Sequence, residues 1–484
     1  MELVSTRNAG ERIEAEKAVL RGIAPDGGLY VPSRFPGINA LGDITALSYP
    51  KLAAAVLGLF FENIRGLDGL AEKAYERFDA PDTAPVKKLS SGEYVLELWH
   101  GPTLAFKDMA LSVLPGLMAA AKTDKDILIL VATSGDTGKA ALEGFRDAPG
   151  IKIMVFYPHG GVSEMQRLQM ATQEGENAHV VAVRGNFDEA QNAVKAIFAD
   201  RAFSEAIYEK GYALSSANSI NFGRLAPQIA YYIWAWAELK RKGEIKAGEK
   251  INFVVPTGNF GNILAAWYAK RMGLPVNKLI CASNMNNVLT DFFNRGEYSL
   301  DRAFYKTMSP SMDILISSNL ERLLFEISGR DEKEVAGMMR RLKAEGAYSI
   351  SAQARDTLSK DFFADWCGEE ETRRSLRDTF EQKGYLLDTH TAVATGVFEK
   401  YKRTGDGTKT VIVSTASAYK FPKDVLESLG EDTAGLDEFA MARRLASATG
   451  TKVPAQILEL RGKPERHTRV VDKDALPAAI LEAL

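Results

Sequence analysis

The chain has 484 residues, 46% of them hydrophobic and 25% charged, with a formal net charge of −3 and two cysteines. That length allows two or three domains around a large core. The charge makes no case for a nucleic-acid or anionic-membrane partner, and two cysteines exclude a disulfide framework and suit a reducing compartment. Cys281 follows the apolar Lys278-Leu-Ile280 and reads as a small core residue. The opening Met1-Glu-Leu-Val-Ser-Thr-Arg7 lacks the apolar centre of a signal peptide, and the longest apolar run, 53–61, is too short to cross a bilayer. The expectation is a cytoplasmic protein.

The first 90 or so residues carry helical patterns and a Gly/Pro turn, Ala24-Pro-Asp-Gly-Gly-Leu-Tyr30. From there, short apolar runs alternate with amphipathic stretches. Strands are predicted over 126–133, 152–157 and 179–183, separated by helices over 139–145 and 163–172 and followed by one over 188–198. Such a β-α-β-α-β series argues for a parallel sheet with right-handed crossovers. The loop 215–224 leads into a long helix over 225–241, and the charged stretch 240–250 reads as a linker. A second series follows, with strands over 252–255, 279–282 and 410–414 and an amphipathic helix over 332–343. Ligands in such folds sit at the carboxyl ends of the strands, where the Gly loops fall.

Five segments carry chemistry. Lys107 lies in His100-Gly-Pro-Thr-Leu-Ala-Phe-Lys-Asp108, too rich in Gly, Pro and apolar groups for an ordinary solvated surface. It is either a snorkelling surface lysine or a desolvated amine able to form a Schiff base. Thr133-Ser-Gly-Asp-Thr-Gly138 follows a strand and opens a helix. Capping alone explains a hydroxyl or an Asp there, but three hydroxyl residues and two glycines favour an anion site. Gly258-Asn-Phe-Gly-Asn262 precedes a helix whose positive end could hold a phosphate, although a plain βα turn reads the same way. It fits neither the P-loop nor the dinucleotide fingerprint, which argues against a nucleotide-binding enzyme. Asn218-Ser-Ile-Asn-Phe-Gly-Arg224 groups amides, hydroxyl and guanidinium as a phosphate site or as a solvated loop. Ser414-Thr-Ala-Ser-Ala-Tyr-Lys420 places hydroxyls at a strand end, where a ring nitrogen could meet them or where they are ordinary loop chemistry. The five histidines are isolated and read as structural, and no metal-ligand spacing occurs.

Together and in this order these segments resemble the threonine synthase family, in its branch with a long N-terminal region found in enterobacteria and yeast. Ser5-Thr-Arg7, Ala24–Tyr30, Pro310-Ser-Met-Asp-Ile314, Ser318-Asn-Leu-Glu-Arg322 and Asp388-Thr-His-Thr-Ala392 extend the resemblance over nearly the whole chain. It implies two parallel-sheet α/β domains of the tryptophan synthase beta-like class, fold type II of the pyridoxal-phosphate enzymes, with an N-terminal extension. The corresponding division is 1–90 for the extension, 91–125 with 245–484 for the large cofactor domain, and 126–244 for the small one. The implied cofactor is pyridoxal 5′-phosphate and the implied reaction is O-phosphohomoserine with water to threonine and phosphate.

Carried over by position, Lys107 would bind the cofactor aldehyde and act as the catalytic base. Gly258, Asn259, Phe260, Gly261 and Asn262 would hold its phosphate, Asp136 would face O3′ and Thr415 the pyridine nitrogen. Thr133, Ser134 and Thr137 would bind substrate, and Asn218, Ser219 and Arg224 its phosphate. Two departures accompany the match. Asp136 stands where many relatives have Asn, and Ser417 stands where the strand-end motif commonly has His. The expected partner is a small molecule, not nucleic acid or membrane, and the expected state is a monomer or homodimer. A non-catalytic binder of phosphorylated amino acids is the other reading, and an intact Lys107 argues against it.

Overall fold

The computed structural model describes residues 1–121, 124–185 and 187–484. The N-terminal segment contributes β1 (Glu2–Ser5), β2 (Arg12–Glu14) and β3 (Tyr30–Pro32), then β4 (Val86–Ser90) and β5 (Glu93–Glu97). Four strands follow: β6 (Asp126–Ala132), β7 (Ile151–Pro158), β8 (Ala178–Arg184) and β9 (Tyr212–Ser215). The remainder holds β10 (Ile251–Pro256), β11 (Val276–Ser283), β12 (Glu297–Ser299), β13 (Ala347–Ser349), β14 (Phe362–Trp366), β15 (Thr410–Ser414) and β16 (Val470–Asp472).

Two sheets dominate. The larger has the order β14-β11-β10-β15-β5-β4, parallel except for its β4 edge, and the smaller has the order β16-β8-β7-β6-β9, parallel throughout. Parallel strands are covered on both faces, so they read as continuous apolar runs. Residues 127–132 of β6 and all six residues of β10 are buried. A third, antiparallel sheet, β2-β1-β3, belongs to the N-terminal segment.

The α/β architecture and the six predicted strands are thus observed, as β6, β7, β8, β10, β11 and β15. Other strands were not legible. β5 (Glu-Tyr-Val-Leu-Glu) and β14 (Phe-Phe-Ala-Asp-Trp) mix charge into three or four apolar residues, too few to show a period. Their pairing with β15 and β11 decides them. The stretch 240–250 is no free tether. Lys242 Nζ donates to the Val86 carbonyl at 2.9 Å, and Glu244 accepts from Lys88 at 2.9 Å and the Tyr94 hydroxyl at 2.8 Å. The C-terminus also departs from the division at 244/245, because β16 pairs with β8 and Leu476 and Ile480 pack on the smaller sheet.

The helix Phe222–Arg241 lies between the units and is buried from Phe222 to Leu239. A helix apolar on all sides needs enclosure on all sides. Its Trp234 indole donates to the Ala84 carbonyl at 2.8 Å, and its Tyr232 hydroxyl donates to Asn262 Oδ1 at 2.6 Å. The loops after β5, β6, β9, β10 and β15 all leave carboxyl ends of strands, and they carry the five segments singled out above. Both cysteines are buried, and burial pushes Cys281 up to about 12 and Cys367 up to about 11, so neither is a reactive thiol.

Glu143, on the helix Asp136–Phe145 of the smaller unit, is buried among Arg77 (2.5 Å), Lys139 (3.0 Å) and Arg146 (3.3 Å). Burial opposes its charge, but the three cations outweigh that and hold its carboxyl down at about 2. A carboxyl depressed in the folded state stabilises the fold above its unfolded value, and that stability is lost as pH falls through the folded value. Glu143→Gln is therefore expected to lower the urea-unfolding free energy by roughly 2–3 kcal/mol at neutral pH, a deficit that disappears as the pH is taken from about 5 to 2.

Candidate functional site

The loop before Lys107 is built to hold its backbone. Thr103 donates from N–H (2.8 Å) and from Oγ1 (2.6 Å) to the Asp108 carboxylate, and a Cβ on Gly101 would meet Asp108 Oδ2 at 2.5 Å. Burial raises Asp108 to about 6, and the Thr103 donors work against that rise. The same loop pairs with the end of β15. Ala105 bridges Ala416, Phe106 N–H donates to the Thr415 carbonyl (2.8 Å), and Ser417 N–H donates to the Leu104 carbonyl (3.0 Å). Lys107 then opens the short helix Asp108–Leu111, its side chain 11% exposed.

Lys107 Nζ lies 3.4 Å from Asp136 Oδ2 and 3.4 Å from Ser311 Oγ. Burial is the chief cause that lowers its pKa; Asp136 opposes the shift, while Lys420 and Arg224 add to it. The other oxygen of Asp136 lies 3.2 Å from Lys420 Nζ and accepts from Gln166 Nε2 at 3.1 Å. Burial alone would raise Asp136, but Lys420, then Lys107, Gln166 and His390, hold it well below the usual carboxylate range. Gly135 is required beside it, since it has φ +138° and a Cβ there would meet Gln166 Nε2 at 2.4 Å.

Ser311 is itself oriented. Its backbone N–H donates to His390 Nε2 at 3.1 Å, which makes that nitrogen an acceptor and leaves Nδ1–H to donate to Asp388 at 3.0 Å. Asp388 also caps the helix Thr389–Lys402 by accepting from the His390 and Thr391 N–H groups. His390 is thus structural to the turn that carries Ser311, in line with its reading from the sequence.

After β10 the chain turns through Thr257, Gly258 and Asn259 to Phe260, which has φ +64°, and the helix Gly261–Arg271 begins with no side-chain cap. Four N–H groups at such a start lack intrahelical partners and favour an anion. The turn is held from outside. Asn319 donates to the Asn259 carbonyl from Nδ2 (3.1 Å) and N–H (3.2 Å), and Ser317 Oγ donates to the Gly258 carbonyl (2.8 Å). A Cβ on Gly258 would stand 3.1 Å from the Ser311 carbonyl, so this turn and the Ser311 turn touch. Asn262 Oδ1 accepts from Tyr231 and Tyr232, while its buried Nδ2 has no partner among the described residues.

Arg224, in the first turn of the helix Phe222–Arg241, is buried. Its Nη1 donates to the Ala217 carbonyl at 2.6 Å, its Nε–H is buried without a partner, and it forms no ion pair among the described residues. Burial brings its pKa down to about 10. An uncompensated buried guanidinium costs several kcal/mol, which an anion at Nε–H would return.

The remaining expected residues fall around this centre in different states. Thr133 Oγ1 accepts from the Gly135 (3.0 Å) and Gly138 (2.9 Å) N–H groups, so its hydroxyl shapes the loop. Ser134 is exposed and Thr137 half-buried beside Asp136. Asn218 and Ser219 are half-buried, and their side chains have no hydrogen-bond partner among the described residues. Thr415 is buried against the Lys107 loop. Reading the residues in isolation missed Lys420, Ser311, Gln166 and Asn319. Lys420, Ser311 and Asn319 lay in motifs already noted; nothing local distinguishes Gln166.

Three family models match the chain. One described as pyridoxal-phosphate dependent enzyme covers residues 83–354, one described as threonine synthase N terminus covers 2–75, and one described as threonine synthase, C-terminal, covers 391–480. A threonine synthase of Pseudomonas aeruginosa is 40% identical over 88% of this chain and 90% of its own length. A human threonine synthase-like 1 protein is 41% identical over 85% of this chain, which spans only 58% of that relative. The crystal structure of PLP-bound threonine synthase from Brucella melitensis superposes with a TM-score of 0.89 at 35% identity, covering 100% of this chain and 99% of that one. The yeast threonine synthase structure gives 0.87 at 32%, covering 100% and 98%.

The unpaired guanidinium yields a direct expectation. Inorganic phosphate should raise the melting temperature of the protein, by about 2–3 kcal/mol of added stability near a hundredfold excess over Kd. Arg224→Ala should reduce that gain, leaving the share due to the uncapped start of the helix Gly261–Arg271, without lowering the melting temperature measured in the absence of phosphate. Differential scanning calorimetry across a phosphate series reads both.

Proposed function

We propose, on the premise that the chain belongs to the threonine synthase family of pyridoxal-phosphate-dependent enzymes, that it converts O-phosphohomoserine and water to L-threonine and inorganic phosphate. One observation carries the choice of substrate. Arg224 is a buried cation near Lys107 with an unsatisfied Nε–H and no carboxylate. Dehydratases and sulfhydrylases share a cofactor lysine and a Gly loop but have no need of such a group; a phosphorylated amino acid does.

The cofactor fits the residues present. The largely buried amine of Lys107, the uncapped helix start, the orphaned Asn262 Nδ2 and the buried Thr415 are the groups that an aldehyde, a phosphate and a pyridine ring require. When bound, pyridoxal phosphate supplies an aldehyde for imine formation and a conjugated ring that delocalises negative charge from the substrate Cα. Lys107 would hold the aldehyde carbon. Gly258, Asn259, Phe260, Gly261 and Asn262 would hold the phosphate, and Asp136 would face O3′. Thr415 at the ring nitrogen offers a hydroxyl rather than a carboxylate, so it puts no negative charge there.

With substrate in place, the freed Lys107 amine takes the proton from Cα, and it is the base best placed to move protons at Cβ and Cγ. Burial, which lowers its pKa, favours the neutral amine that this work requires. Ser417 offers no imidazole, and His390 is committed to Ser311 and Asp388. Thr133, Ser134 and Thr137 would orient the substrate carboxylate through their loop. Asn218, Ser219 and Arg224 would hold its phosphate as it leaves. The net charge of −3 and the two buried thiols support a cytoplasmic enzyme working on a small molecule, without nucleic acid; it would act as a monomer or homodimer. The same reading keeps the division into 1–90, 126–244 and the remainder, with residues 470–484 joined to the smaller unit.

The assay is phosphate release from O-phosphohomoserine with threonine identified as product. Faster turnover of O-acetylserine or threonine would overturn the assignment. Lys107→Ala is expected to remove the visible absorbance of a lysine Schiff base from the reconstituted protein and to cut kcat by at least about 10³-fold.

A further inference from the structure

Nothing in the reaction above uses Lys420, yet its side chain is 1% exposed and lies at the centre of the site. It ends the turn Ala418–Lys420 after β15. Its Nζ donates to the Thr103 carbonyl at 2.9 Å and to Gln169 Oε1 at 3.1 Å, and stands 3.2 Å from Asp136 Oδ1. An ammonium has three donors: two are hydrogen-bonded to neutral oxygens, and the Asp136 carboxylate completes the surroundings as an ion pair. These partners come from three segments: the loop that carries Lys107, the helix Glu164–Ala171, and the helix Asp136–Phe145. The second oxygen of Asp136 is the one that faces Lys107, at 3.4 Å. One carboxylate is therefore shared between two buried ammonium groups. A lysine is almost never this buried without a partner, and an apolar residue of the same size would hold the seam at lower cost.

We propose that Lys420 is a positioning residue of the active site, acting through Asp136: it turns that carboxylate so that only its second oxygen meets Lys107, and it keeps the Lys107 amine able to react. This rests on the reading of Lys107 as the reactive amine. The charged groups facing Lys107 are Asp136, Lys420 and Arg224; those facing Asp136 are Lys420 and Lys107, with the titratable imidazole of His390 beside them. Without Lys420, Lys107 loses a like charge and gains the undivided attraction of Asp136. Both changes favour its ammonium form.

The test reads the amine itself. The full-length chain, freed of cofactor, is trace-labelled with acetic anhydride across a pH series, and acetylation of Lys107 is followed by mass spectrometry. Lys420→Met should raise the midpoint of labelling by about 1 pH unit or more. Lys420→Arg, which keeps the charge, should retain the parent midpoint. In an Asp136→Asn background, Lys420→Met should move it less, since the intermediary is gone. If Lys420→Met does not fold, Lys420→Gln, which still hydrogen-bonds but carries no charge, gives the same reading. An unchanged midpoint in the folded variant, or an equal rise in Lys420→Arg, overturns the proposal. No substrate enters the measurement, so a wrong choice of substrate would fail in the turnover assay and leave this result intact.

Discussion

Two ionic side chains, Asp136 and Lys420, lie out of water at the seam between two parallel sheets, and Lys107 beside them is nearly so. Moving such groups from water costs several kcal/mol each unless partners are already in place. The fold supplies those partners from separate stretches of chain, each arriving at the carboxyl end of a strand. Asp136 comes from the loop after β6, Lys420 from the loop after β15, and Lys107 from the loop after β5. The cluster therefore exists only when both sheets are formed and docked. The register of the seam and the reactivity of its amine are set by the same contacts.

The charges do not balance. Lys107 and Lys420 face one buried carboxylate, Arg224 lies near Lys107 with no carboxylate of its own among the described residues, and the helix Gly261–Arg271 adds uncapped N–H groups. A site with this surplus is prepared for anions, and the phosphorylated cofactor and the proposed phosphorylated substrate would supply two. Catalysis by preorganised charge has this form: the protein bears the desolvation cost while folding, so the reacting groups meet fixed dipoles instead of mobile water.

Arg322 explains why the N-terminal extension belongs to this machinery. It is fully buried, and burial lowers its pKa to about 10. Its guanidinium donates to the carbonyls of Tyr30 (2.9 Å) and Ile220 (2.5 Å) and to the Asn319 side chain. Asn319 in turn holds the turn before the helix Gly261–Arg271, and Ile220 lies in the loop that carries Asn218 and Ser219. Beside it, Glu321 receives Arg7 through two bonds of 2.8 Å and the Thr6 hydroxyl through one of 2.6 Å. The extension is fastened to the two loops that would hold phosphate, one through each end of the same guanidinium.

Local patterns alone determined the strands whose apolar runs are buried on both faces, the Gly-rich turns that follow them, and the unusual setting of Lys107. Those signals are written in a few consecutive residues, because sheet burial and left-handed turns act over that range. The motif order then sufficed to place the chain in a family. Tertiary structure alone decided that β5, β9, β14 and β16 are strands, since their short mixed segments take that form only against a neighbour. It also decided that Lys420, Ser311, Gln166 and Asn319 belong to the site. A lysine, a serine or an amide looks the same in sequence whether it faces water or a buried carboxylate. Its role follows from which charges lie within a few ångströms, and that distance is set by contacts between residues far apart along the chain.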